Sequence, residues 1–291
     1  MSNARTTTSV STAARPSPST GSAQALPLVA EIRRQLSRRR TLVVFGVLVA
    51  LPLVLVAAFA FGGSDDASGR GFVDLAQDSG ANLVVFALFA STGFLLVVVV
   101  ALFAGDPVPS EASWSSLRYL LTAPVRRERL LRQKLVAAAL FTLAAFVFLP
   151  VWTLLVGGIA YGWGPYVGPT GDQLAYPLLL GRLAVVVVYL FVSLAVVGAF
   201  AFLLGTTTDA PLAAVGGGVV LWIVCAILDQ ITALGGLRQA LPGHFAFAWA
   251  DALAPTVDWS AMAQGALWSV GYATALVGVA VWRFLRKDVT S

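Results

Sequence analysis

Lysine, histidine and cysteine are almost missing from this sequence, which has Lys134 and Lys287, a single His244 and a single Cys225. Neither lysine follows a glycine, so there is no Gly-Lys-Ser/Thr phosphate loop and no nucleotide site of that kind. One cysteine excludes an internal disulfide and any Cys-rich zinc site. One histidine excludes the paired histidines of common metal and haem sites. Charge is scarce as well. Charged residues make up 11% of the 291 residues and hydrophobic residues 58%, whereas soluble domains carry about 25% charged residues. A soluble chain of this size cannot hide that much apolar side chain, because its surface needs polar cover. The composition is that of a polytopic membrane protein with an all-α helix bundle.

Residues 1–25 are rich in Ser, Thr, Ala and Pro and read as a disordered cytoplasmic tail. In 26–40, Val29, Ile32 and Leu36 share one helical face and arginines take the other, the pattern of an amphipathic helix lying along the membrane. Six apolar stretches follow, over 41–61, 81–104, 135–161, 183–204, 211–231 and 261–282. Each approaches the ~20 residues that cross a ~30 Å hydrocarbon core. The first is too long for the 7 to 15 residues of a signal-peptide core. Pro150 is expected to kink the third.

Placing both termini in the cytoplasm puts sixteen of the nineteen arginines and lysines on the inner side, leaving Arg70, Arg182 and Arg238 outside. That asymmetry sets the orientation. It also explains the net charge of +5 and the pI near 9.8 without any nucleic-acid surface. The first outer loop is acidic, with Asp65, Asp66, Asp74 and Asp78. Tyr161, Trp163, Tyr166, Tyr176, Trp259 and Trp282 lie near span ends, where aromatic rings anchor in the headgroup layer.

No ionisable residue falls at mid-span, and Asp229 comes nearest, at the outer end of the fifth stretch. Intramembrane charges normally mark proton paths, so proton-driven transport is poorly supported. Sodium coupling through hydroxyl and carbonyl oxygens stays open. Gly271, Ala275 and Gly278 on the sixth stretch, and Gly216 to Gly218 on the fifth, have the spacing of close helix packing. Residues 232–260 are too apolar for an ordinary loop and suggest two short helices dipping into the outer leaflet, with His244 and Asp251 seven residues apart. A lone histidine of this kind is more often structural than functional.

The most informative stretch is 105–134, GDPVPSEASWSSLRYLLTAPVRRERLLRQK. Ser110 can cap a helix with Glu111 in its first turn. Trp114, Leu117 and Leu121, joined by Leu120, then form an apolar stripe, and Pro124 ends the helix. A basic helix from Arg126 to Lys134 leads into the third span. An exposed apolar stripe held in the cytosol by charged flanks is expected to meet a partner.

This stretch resembles the second cytoplasmic loop of type-2 ATP-binding-cassette (ABC) exporter permeases. Their pattern of Glu, spacer, Gly-Thr-Leu, Leu-Leu, Pro, Arg and Lys corresponds here to Glu111, Ser115-Ser116-Leu117, Leu120-Leu121, Pro124, Arg126 or Arg127, and Lys134. Ser115 replaces the usual Gly. The ending WRFLRKDVTS, with Phe284, Arg286, Lys287 and Asp288, is similar to that family's exit from its sixth span. The resemblance implies a coupling helix over Trp114 to Thr122 that seats in a groove of a cytosolic ATPase subunit. Glu111, Trp114, Leu117, Tyr119, Leu120, Leu121, Pro124, Arg126, Arg127 and Lys134 would form the ATPase-coupling loop. It also implies a second permease subunit as homo- or heterodimer partner. ATP would be bound by the partner rather than by this chain, which needs no catalytic, cofactor or metal residue of its own.

The expected function is the membrane-spanning subunit of an exporter for a hydrophobic or amphipathic cargo such as a drug, antibiotic or lipid-like molecule. A secondary transporter or a non-transporting sensor subunit is the alternative. An intramembrane enzyme would need converging His, Cys or carboxylate groups, and Asp65, Asp66 and Asp229 are too scattered. Arginine far outnumbers lysine, which points to a GC-rich bacterium and its cytoplasmic membrane.

Overall fold

The computed structural model describes residues 28–61, 71–110 and 127–286. Ten helices occupy them: α1 (Leu28–Leu36), α2 (Arg39–Phe61), α3 (Phe72–Gln77), α4 (Gly80–Thr92), α5 (Leu95–Gly105), α6 (Arg127–Tyr161), α7 (Tyr176–Ser193), α8 (Ala195–Thr207), α9 (Pro211–Asp229) and α10 (Ser260–Arg286). Two-residue strands β1 (Tyr166–Val167) and β2 (Gln173–Leu174) pair antiparallel as a small hairpin. Two 3-10 segments, Thr232–Ala240 and Ala248–Leu253, fill the stretch between α9 and α10. Five helical stretches are long and apolar enough to cross a membrane, with α7 and α8 together making one of them, and the α4–α5 pair supplies a sixth. The protein is an all-α, multi-pass membrane bundle.

The expected second span is not straight. Helices α4 and α5 meet at 58° across Gly93 and Phe94. Ser91, Thr92 and Gly93 are weak helix formers in sequence, and the Thr92 hydroxyl folds back to donate to the Leu88 carbonyl at 2.7 Å. A break inside the bundle must satisfy its backbone groups from within. Trp222 on α9 does so, its indole N–H donating to the Gly93 carbonyl at 3.0 Å. Helix α6 runs unbroken for 35 residues with Pro150 inside it. At 1.5 Å per residue it is about 50 Å long, well beyond the hydrocarbon thickness.

Helix α8 lies at the centre, packed against α5, α9 and α10. Small residues make this possible. A Cβ on Gly205 would stand 2.6 Å from the Gly105 carbonyl oxygen, and one on Gly198 would stand 2.9 Å from Val100. On α9, Gly217 and Gly218 press on Leu204 and Ala201 as their spacing predicts, whereas Gly216 faces open space. Gly271 and Gly278 of α10 also meet nothing within 4 Å, so the small stripe expected to pack that helix faces away from its own bundle. A second close contact joins α4 to α6, where a Cβ on Gly80 would lie 2.5 Å from the Gly158 nitrogen.

The amphipathic helix is shorter than its sequence pattern. It ends at Leu36, and Arg39 and Arg40 already belong to the first spanning helix. Gln35 rather than Leu36 turns to the bundle, 2% exposed against 52%. The Thr41 hydroxyl donates to the Gln35 carbonyl at 2.7 Å and ties α1 to α2 across their junction.

Residues 232–260 pack against the bundle, and their regular parts are two 3-10 segments rather than α-helices. Their carbonyls are taken by side chains. Tyr189 donates to Phe245 at 2.5 Å, Tyr272 to Ala240 at 2.7 Å, and Arg182 to Ala252 at 3.1 Å and to Ala254. Arg182, expected outside the spans, therefore lies within α7, which begins six residues earlier at Tyr176. Trp222→Phe removes the donor at the α4–α5 break and is expected to cost about 1 kcal/mol. A lowered melting temperature in detergent, with secondary structure unchanged, is the measurement that checks it.

Candidate functional site

Of the residues expected to form the ATPase-coupling loop, Glu111, Trp114, Leu117, Tyr119, Leu120, Leu121, Pro124 and Arg126 lie outside the described residues, as does the helix expected over Trp114 to Thr122. Arg127 begins α6. What the structure does place is the base from which this loop leaves and returns.

Beyond α5 the chain continues through Asp106, Pro107, Val108 and Pro109, with Pro107, Val108 and Pro109 buried. Ser110 does not precede a helix; the helical turn has already started at Pro109. The Ser110 amide donates to the Asp106 carbonyl at 3.1 Å. Its hydroxyl instead accepts from the Arg38 guanidinium at 3.1 Å. The Asp106 carboxylate receives Arg38 at 3.5 Å and forms a second ion pair with Arg40. These groups are only 15–23% exposed, so the pairing is not an ordinary surface contact.

Lys134 closes the other side. It is 2% exposed, and its ammonium donates to the Pro107 carbonyl at 3.1 Å. A buried ammonium is tolerated only when its donors are occupied. Helix α1 also packs on α6, and Leu131, one turn before Lys134, is buried at 1%. The α1–α2 junction, the end of α5 and the first turns of α6 thus form one polar clasp. It holds the segment before residue 111 against the helix that follows residue 126. Lys134 belongs to the sequence expectation and takes a buried position in the clasp. Arg38, Arg40 and Asp106 were not singled out there. The signal was available: Asp106 is one of few carboxylates amid the arginines at this end.

Phe284, in the ending likened to the exporter family, is buried, and the Arg286 guanidinium stands 4.4 Å over the Trp282 ring. Lys287 and Asp288 lie outside the described residues.

The opposite end of the bundle carries its own polar links. His244 Nδ1 lies 2.5 Å from Asp229 Oδ1, and Arg238 Nε lies 3.4 Å from the same oxygen. His244 therefore pairs with Asp229 across fifteen residues of sequence, while Asp251 sits exposed on the second 3-10 segment. Asn82, buried at the start of α4, donates to the Val167 carbonyl at 2.8 Å and accepts the Val167 amide at 2.9 Å. That clamp seats the β-hairpin, and burial pushes the Tyr166 phenol above its usual pKa. Tyr166, expected as a headgroup anchor, is only 8% exposed, whereas Trp163, Trp259 and Trp282 are open as anchors should be. The Ser260 amide lowers the pKa of Asp258 by donating to its carboxylate. Among the described residues no group of three His, Cys, Asp or Glu side chains could hold a metal ion.

Asp106→Asn leaves two guanidinium groups without their carboxylate and is expected to weaken the clasp by about 1–3 kcal/mol. Hydrogen exchange should show it as roughly tenfold or faster exchange at the Ser110 amide, with the Val167 amide unchanged.

No curated protein matches the chain. A family model matches residues 45–290, from the first spanning helix to the C-terminal tail, and its description is a protein of unknown function, DUF2705. The chain belongs to the DUF2705 family.

Proposed function

We propose that this protein is the transmembrane permease subunit of an ATP-driven exporter, of the type-2 ATP-binding-cassette class, in a bacterial cytoplasmic membrane. The observation that carries this is the clasp of Arg38, Arg40 and Asp106 with Lys134, which fixes the base of the loop 111–126 to α6. Force applied to that loop by a cytosolic ATPase would not be lost in a slack connection. It would pass into a helix of about 50 Å that runs through the whole bundle. Lys134 would act as the positioning residue at that joint. The missing phosphate loop, the apolar stripe Trp114, Leu117 and Leu121, and the arginine-rich loop end all fit a chain whose motor is a separate subunit. With the loop on the cytoplasmic side, both termini lie there too.

Support for an apolar or amphipathic cargo comes from a crevice of about 210 Å³ between α5, α6, α7, α8 and α10. Val100, Leu135, Ala138, Phe191 and Val277 line it, with Thr142 among them as a hydroxyl. Such a wall suits a hydrocarbon chain and offers nothing to a charged solute. The break between α4 and α5 favours one other reading, a secondary transporter, because discontinuous helices there build substrate and ion sites. The buried Ser91 hydroxyl, which has no hydrogen-bond partner, lies beside that break.

Co-purification of the tagged protein with a soluble ATPase, and cargo-stimulated ATP hydrolysis by the pair, test the exporter. Leu120→Arg combined with Leu121→Arg is expected to abolish assembly or coupling, with transport falling to background. Unchanged transport by that variant overturns the proposal. Transport that persists without ATP and stops when ion gradients are dissipated decides for the secondary transporter.

A further inference from the structure

At the end of the bundle away from the clasp, α3, α4, the β-hairpin and the second 3-10 segment surround a half-open cleft of about 420 Å³. Four aromatic side chains line it: Phe72, Phe89, Tyr166 and Trp249. The Phe89 ring stands edge-on to two other rings of the lining, 5.4 Å from Phe72 and 5.8 Å from Trp249, each at 66°, and leans at 33° on Phe247, 4.7 Å away on its other side. In such an arrangement the rings turn faces toward more than one direction and do not collapse into a single stack. Asp172 completes the lining with an exposed carboxylate, which accepts the Thr170 hydroxyl at 2.5 Å. The elements around the cleft also carry Asp74 and Asp251. Arg182 is committed to the carbonyls of Ala252 and Ala254.

The cleft is held in shape. Asn82 grips both backbone groups of Val167, next to Tyr166, and the Ser79 hydroxyl donates to the Pro165 carbonyl at 3.1 Å. The Gly168 amide donates to the Asp172 carbonyl at 2.8 Å, which fixes the hairpin bearing the carboxylate. Trp249 is fully buried, and its indole N–H has no acceptor. A buried donor left open in the wall of a cleft is satisfied when a bound molecule brings an oxygen.

We infer that this cleft is a binding site for an organic cation, an alkylated ammonium that also carries an acceptor oxygen. The exposed rings of Phe72 and Phe89 meet the cation through their electron-rich quadrupoles, as aromatic cages hold methylated ammonium groups. Asp172 at the rim supplies the opposite charge. The molecule's oxygen faces the Trp249 indole. A purely apolar slot for lipid tails would need neither the carboxylate nor the open donor. The site requires no ATPase and lies at the far end from the clasp, so it stands or falls separately from the exporter reading.

The test uses the purified full-length chain in lipid nanodiscs and two probes of the same shape, benzoylcholine and its uncharged isostere 3,3-dimethylbutyl benzoate. Both carry the ester oxygen, so they differ in the quaternary nitrogen alone. Titration calorimetry, with tryptophan fluorescence as a second readout, is expected to show the cation binding at least about tenfold more tightly than the isostere. Asp172→Asn should weaken the cation about threefold, and Phe89→Leu about tenfold, with the isostere unaffected by either. Phe89→Tyr keeps the ring and should bind as the wild type does. Asp172 is exposed on the hairpin, so its variant keeps the test intact if Phe89→Leu fails to fold. Equal binding of the two probes, or a cation affinity that Asp172→Asn leaves unchanged, overturns the inference and marks the cleft as a hydrocarbon slot.

Discussion

In hydrocarbon there is no water to complete a backbone hydrogen bond that the chain leaves open, and most of the unusual features here answer to that constraint. Where α4 gives way to α5, the exposed carbonyl of Gly93 is met by the Trp222 indole. Where residues 232–260 fold back in 3-10 turns, Tyr189, Tyr272 and Arg182 reach out to cover the carbonyls of Phe245, Ala240, Ala252 and Ala254. Beside Pro52, which brings no N–H to α2, the Trp152 indole donates to the Val49 carbonyl at 3.0 Å. These long side chains act as local solvent for main chain that departs from the α-helix. They let a bundle of otherwise plain apolar helices carry breaks and an irregular segment.

Both ends of the bundle use the same device for different tasks. At one end the guanidinium groups of Arg38 and Arg40 gather on Asp106 while Lys134 holds Pro107, so the elements flanking residues 111–126 form a single unit. At the other, Asp229 ties down His244 and Arg238, and Asn82 ties down the hairpin. Between them lies the glycine-rich contact of α5, α8 and α9, in which backbone rather than side chain sets the distance. Polar groups thus position the ends of the helices, and small residues set the spacing of their middles. Charge is rare in the sequence and concentrated where geometry must be fixed.

The spans were legible because an apolar run of about 20 residues has few other uses, and the all-α bundle follows directly from them. Several features of the ends were not. A run of hydropathy marks where a helix can sit, but it does not say which turn will open, so Ser91-Thr92-Gly93 passed unnoticed inside an unbroken stretch. Arg182 lay outside the apolar window and was placed beyond the membrane, although the helix begins six residues before it. The pairing of His244 with Asp229 depends on how residues 232–260 fold back, which no local period encodes. On α1, periodicity set Val29, Ile32 and Leu36 on one apolar face, and it did not mark Gln35 as the residue that turns to the bundle. In the loop, sequence singled out the apolar stripe and Lys134. It overlooked Asp106, whose importance comes from two arginines more than sixty residues earlier.

The meeting of α4 with α6 has a mechanical meaning. At Gly80, Gly157 and Gly158 the two backbones touch with no side chain between them to deform. Arg127, where α6 begins, is about 45 Å away along the rod. The glycine end of α6 is therefore held at a fixed distance from α4 by main chain alone, beside the hairpin that Asn82 clamps.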